Sequence, residues 1–133
     1  MLYKMKNLKH QHCFVCSEEN VKGLQVDFKL QGDKVVGIFT PTKDHQSYDG
    51  ITHGGVLSSL LDAAMNRAIL EKGYVAQTGK LEIRFLQNAP IGRALMVIGE
   101  VVKTKDTFIL TKGAVYSPDN SEVAASEGIF FLK

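Results

Sequence analysis

The sequence has no apolar run long enough to span a bilayer, and the lysines near its start are not followed by the apolar stretch of a secretory signal. A cytoplasmic location without membrane association is therefore expected. It also has little net charge. Sixteen Lys and Arg stand against 14 Asp and Glu, a formal +2, too little on its own to argue for nucleic acid. The one basic concentration, Lys4, Lys6, Lys9 and His10, reads as a solvated arm or as a minor contact for an anionic ligand. There is no phosphate loop of the Gly-x-x-x-x-Gly-Lys type and no dinucleotide fingerprint. No repeat, low-complexity segment or linker divides the chain, so residues 1–133 read as one domain, with 1–23 as an irregular lead-in.

Cysteine is scarce. Cys13 and Cys16 form a Cys-x-x-Cys, and a disulfide there would close a tiny loop that constrains the unfolded chain little. With His10 and His12 the pair has the residue types of a zinc site. Four ligands from seven residues would crowd, and no second Cys or His pair follows. A redox thiol pair is the other active reading. The expectation is no metal and a packed segment anchored by Phe14 and Val15.

What is present is an ordinary globular composition, 44% hydrophobic and 23% charged, at a length that can bury a core. Leu24 to Leu30 alternates apolar and polar, and Lys34 to Thr40 follows a Gln31-Gly32-Asp33 turn, which predicts a hairpin. A helix is predicted from about Gly54 to Lys72, stopping at Gly73, with Leu57, Leu60, Leu61, Ala64, Met65, Ala68 and Ile69 on one arc and Asp62 at its edge. Strands are expected over 79–87, 93–103, 107–116 and 122–132. The order β-β-α-β-β-β-β argues for α+β, a curved antiparallel sheet wrapped on one long helix. Such a sheet covers one side of the helix only, so its other face and its edges call for a second subunit.

The most informative stretch is Asp49 to Met65. Gly54-Gly55 at a helix start allows close approach of a ligand and aims free N–H groups at partial negative charge. Asp62 then stands two turns into an apolar helix, where a carboxylate must be satisfied, raised in pKa or used. Donors at a helix start and a nearby carboxylate are the parts an acyl-transfer site needs. The plain alternatives are a tight loop-to-helix junction for the glycines and a paired structural acid for Asp62. His53 is expected to bond backbone and fix the turn that presents Gly54.

These residues, with His12-Cys13-Phe14-Val15-Cys16, Asn20 and Gly23-Leu24 upstream and Thr78 to Leu86 downstream, resemble the hot-dog fold. They are similar in particular to acyl-CoA thioesterases of the phenylacetate-degradation type within the 4-hydroxybenzoyl-CoA thioesterase superfamily. The resemblance implies a thioester hydrolase with no resident cofactor, coenzyme A being part of the substrate, and a homodimer or tetramer with its site across an interface. It implies that the Gly54 N–H, with Gly55 as neighbour, polarises the thioester carbonyl. Asp62 would serve as general base or nucleophile, and Thr78 would place the water. Many members carry an Asn in the loop before the His-Gly-Gly, where this chain has His45, Gln46 and Ser47. Those three, with Arg84, are the substrate-binding candidates; Lys80 and Arg93 are further candidates for CoA phosphate. Met65, Phe85 and Tyr48 are expected to set pocket length. The alternatives are an acyl-CoA binding or sensor module without catalysis, and an acyl-CoA hydratase or dehydratase.

Overall fold

The computed structural model describes residues 12–132; the basic stretch from Lys4 to His10 lies outside them. The strands are β1 (Lys29–Gln31), β2 (Lys34–Phe39), β3 (Ala76–Phe85), β4 (Leu95–Thr104), β5 (Phe108–Tyr116) and β6 (Glu122–Leu132). The helix α1 (Gly54–Glu71) separates β2 from β3, and a short 3-10 turn, Lys43–His45, lies in the loop before it. The strands form one antiparallel sheet in the order β1-β2-β4-β5-β6-β3, which leaves β3 as an edge. The α+β hot-dog architecture expected above is the one found. No helix among the described residues is long and apolar enough to cross a membrane.

Helix α1 forms because its apolar residues recur at helical spacing. The seven residues of the predicted arc are its buried residues, Leu57, Leu60, Leu61, Ala64, Met65, Ala68 and Ile69. The helix stops in a Schellman arrangement. The Tyr74 N–H donates to the Ile69 carbonyl (3.3 Å) and the Gly73 N–H to the Leu70 carbonyl (2.9 Å), with Gly73 at φ +90°. The buried arc packs on the inner face of the sheet with Val35, Val97, Ile109, Val115 and Phe130, all fully buried. At Gly99 the helix backbone itself meets β4: a Cβ there would lie 2.3 Å from the Ala64 carbonyl oxygen. Only glycine admits that approach.

Two expectations need correction. The strand predicted from Leu24 to Leu30 keeps its in–out alternation, with Leu24, Val26 and Phe28 buried, but ladder pairing begins only at Lys29. The cause is a left-handed Gln25 (φ 55°), which turns the backbone so that the Leu24 and Val26 N–H groups donate to the Phe14 and Val15 carbonyls, each at 2.8 Å. In the lead-in, Val15 is buried but Phe14 is 54% exposed. The anchors there are Val15 with the partly buried Cys13 and Cys16, which pack against the core.

Candidate active site

The start of α1 is built by one side chain. His53 is the N-cap in extended conformation, and its Nδ1 accepts from the Gly55 N–H at 2.8 Å. The His53 N–H donates to the His45 carbonyl (2.8 Å), which ties the cap to the preceding loop. The Val56 N–H donates to the His53 carbonyl (2.9 Å). Among the described residues, the Gly54 N–H is thus the donor left open at this helix end. Gly55 is constrained by the cap, because a Cβ there would come 2.9 Å from His53 Nδ1. A Cβ at Gly54 would instead touch only the ring of Phe85, at 3.7 Å, so that half-exposed ring stands beside the open end of the helix.

Asp62 lies on the flank of α1 that faces β3, and Thr78 Oγ1 donates to its Oδ1 at 2.6 Å. The pairing depends on a bulge. The ladder slips between Thr78 and Lys80, so Thr78 stays opposite inward-facing Phe130 while Lys80 stands opposite Ile129 on the outer face. In a strand without the bulge, Thr78 and Lys80, two apart, would point the same way. One turn beyond Asp62, Asn66 Nδ2 donates to the Ala76 carbonyl (3.4 Å) and ties the start of β3 to the helix. Asn66 lies off the apolar arc of the helix, and its i+4 spacing puts it on the same flank as Asp62.

The loop candidates are used differently from one another. His45 Nδ1 accepts from the Thr42 N–H (2.9 Å) in a reciprocal capping box, and its ring meets Phe39 edge-on at 5.0 Å. Gln46 Oε1 accepts from the Gly50 N–H at 3.0 Å. Both side chains hold the loop, while Ser47 is exposed with no side-chain partner among the described residues. Arg84 stands opposite Ala125 and lines a shallow cavity of about 330 Å³ on the outer face with Lys34, Glu100 and Lys112. Within one chain it is therefore on the far side of the sheet from Asp62 and Thr78, as is Lys80. Of the residues expected to set pocket length, Tyr48 and Phe85 are exposed. Met65 is fully buried, its Sδ accepting from Thr111 Oγ1 at 3.1 Å, so it lines no opening in this chain.

At Cys13–Cys16, the Cys16 N–H donates to Cys13 Sγ at 3.3 Å. Burial, then the neighbouring Cys13, pushes the Cys16 thiol up to about 12. No group of three or more metal-binding side chains occurs among the described residues; His10 of the zinc reading lies outside them.

A family model for the thioesterase superfamily matches residues 49–124, more than half of the chain, and the chain belongs to that superfamily. Among solved structures, a thioesterase superfamily protein is 28% identical with a TM-score of 0.85; the match covers 90% of this chain and 63% of that one, so this chain spans under two thirds of its length. The PaaI protein of E. coli, from the phenylacetic acid degradation operon, is 23% identical with a TM-score of 0.77, over 81% of this chain and 83% of that one. A hypothetical thioesterase protein from Streptococcus pneumoniae, solved with coenzyme A, is 20% identical with a TM-score of 0.77, over 81% and 85%. That protein has also been solved with an aspartate and a threonine, sixteen positions apart, each changed singly to alanine. No curated protein matches the chain by sequence.

Proposed function

We propose that this protein hydrolyses an acyl-CoA thioester to a carboxylic acid and coenzyme A. The observation that carries this reading is the open Gly54 N–H at the start of α1, with Asp62 fixed by Thr78 farther along the same helix. A thioester gathers negative charge on oxygen as its carbonyl is attacked, and a preorganised N–H at a helix start stabilises that charge. Asp62 takes a proton from water as the water oxygen attacks the carbonyl carbon, or attacks that carbon itself, in which case the mixed anhydride left when the thiolate departs is hydrolysed by water to the acid and the free Asp62 carboxylate. The tetrahedral intermediate then collapses with loss of the CoA thiolate, which picks up a proton. Thr78, already bonded to the carboxylate, orients it. The same sixteen-residue separation of Asp and Thr in the streptococcal protein supports the pairing.

Asp62 stands eight positions after Gly54, about 12 Å along the axis at 1.5 Å per residue, too far for one helix to present both to one carbonyl. A second copy resolves this. Among the described residues, edge strand β3 has an unpaired side, and long open edges in folded proteins are covered or paired. Pairing there sets the partner subunit's Asp62 toward the Gly54 of this chain. The test is thiol release over a panel of acyl-CoA chain lengths, with absorbance of enoyl-CoA followed in parallel. Turnover of at least one thioester is expected, and its persistence in Asp62→Ala would sink the mechanism.

One observation favours a second reading, acyl-CoA binding without catalysis. His45 Nδ1 and Gln46 Oε1 are engaged in holding their loop, so of the three loop candidates only Ser47 has no side-chain bond among the described residues. Micromolar acyl-CoA binding with no thiol released would decide for it. The hydratase reading loses support because His53 Nδ1 is committed to backbone.

A further inference from the structure

Cys13 and Cys16 have no part in the thioester chemistry, yet the fold holds them in a fixed frame. The Ser17 N–H donates to the Cys13 carbonyl (3.2 Å), which closes one helical turn over the pair. Residues three apart in such a turn have Cα atoms about 5 Å apart, inside the range of roughly 4.4–6.8 Å that a disulfide spans. The residues between the cysteines are clamped from outside. The Phe14 and Val15 carbonyls accept from the Leu24 and Val26 N–H groups, each at 2.8 Å. Gly23 makes that clamp possible, because a Cβ there would lie 2.1 Å from the Phe14 carbonyl oxygen. The two side chains already meet. The Cys16 N–H donates to Cys13 Sγ at 3.3 Å, and burial, then hydrogen bonding to the Cys13 side chain, keeps the Cys16 thiol protonated. The cysteines are not bonded to each other in this state.

We propose that Cys13 and Cys16 form a reversible disulfide by exchange with a low-molecular-weight disulfide. The Cys13 thiolate attacks one sulfur of that molecule, whose S–S bond breaks; one small thiolate leaves, and a mixed disulfide remains on Cys13. Cys16 then gives up its proton and attacks Cys13 Sγ. The Cys13–Cys16 bond forms as the mixed disulfide breaks, and the second small thiolate leaves. Those two thiolates take up the two protons that the cysteines lose, so one dithiol is oxidised and one small disulfide is reduced. Cys13 is the attacking member because Cys16 is held as the thiol. The burial that opposes a thiolate or a metal at Cys16 does not oppose a disulfide, which leaves two uncharged sulfurs. So short a loop constrains the unfolded chain little, so the bond serves as a redox-dependent state rather than as a brace. The turn borders an open cavity of about 440 Å³ where Arg67 stands with Glu19 and Asp27. A disulfide of the amino-acid kind, bearing both carboxylate and ammonium groups, meets a partner for each charge there. None of this rests on thioester hydrolysis.

The test equilibrates the full chain in glutathione buffers of stepped oxidised-to-reduced ratio, traps free thiols by alkylation and counts them by intact mass, with circular dichroism to verify folding. The folded chain should pass from two trapped thiols to none, with no glutathione retained, and dithiothreitol should reverse the change. Because the fold presents the pair ready to bond, its midpoint should fall at a ratio at least about tenfold less oxidising than that of the urea-unfolded chain. Cys16→Ser should stop with one glutathione bound at Cys13, and Cys13→Ser should take up glutathione far more slowly. The proposal is overturned if the folded wild type keeps both thiols at ratios that oxidise the unfolded chain, or if it stops at a glutathione adduct. It is overturned too if folding leaves the midpoint unchanged or makes it more oxidising, which is what a pair that only packs would give. Uptake by Cys13→Ser as fast as by Cys16→Ser overturns the order of attack.

Discussion

Two short stretches of this chain hold its most reactive side chains, and folding treats them in opposite ways. Cys13 and Cys16 sit in a turn packed against the core, where burial and the neighbouring thiol keep Cys16 protonated. A protonated thiol is a poor nucleophile and a poor metal ligand. His53 to Asp62 opens a helix whose first N–H is free and whose carboxylate lies on a flank, held by one hydroxyl. The residue types nominate both stretches. Of the two, the second is the one that the proposed hydrolysis would use.

The strongest way to break this contrast is to remove each set in turn. Asp62→Ala should lower turnover by about 10²–10⁴, the usual scale of a positioned general base, while circular dichroism still reports a folded chain. Next comes Thr78→Val, which deletes a hydrogen bond to a charged group worth about 1.5–3 kcal/mol and should lower turnover roughly tenfold to a hundredfold. If kcat of Thr78→Val matches wild type, the hydroxyl only fills space.

Gly55→Ala should cost about 1 kcal/mol in denaturant unfolding, because the new Cβ pushes the His53 ring off its cap. His53→Ala should cost about the same, and the two together no more than either alone, since they remove one interaction. The smallest effect belongs to the thiols. Cys16 has a folded value raised from its ordinary 9.0 to about 12, so the unfolded chain loses its proton first as pH rises. Stability from this group is complete below about pH 9 and is lost progressively toward pH 12. Cys16→Ala should flatten that alkaline decline in urea titrations and leave turnover near neutrality unchanged.

Much of the fold was legible because it follows from periodicity. The apolar arc of α1 names its seven buried residues, and Glu122–Leu132 is bounded as alternation suggests. The strand from Leu24 failed because alternation reports burial, not pairing, and Gln25 bends the backbone out of the ladder. In the candidate site, the directions in which the side chains point were not legible. Nothing in Thr78-Gly79-Lys80 announces that Gly79 is an extra residue, yet that bulge decides which of its neighbours faces Asp62. The same parity places Arg84 on the outer face. The uses of His45 and Gln46 were hidden too, because loop hydrogen bonds leave no periodic trace.

The contact at Gly99 has a mechanical consequence. No side chain cushions the helix from β4 at that point; backbone rests on backbone. The next residue, Glu100, points outward from the opposite side of the same strand. A load applied to the outer surface at Glu100 therefore reaches α1 within one residue, through a joint with no compliant layer in it. Sheet and helix here behave as a single beam, and whatever seats on its back also sets the attitude of its front.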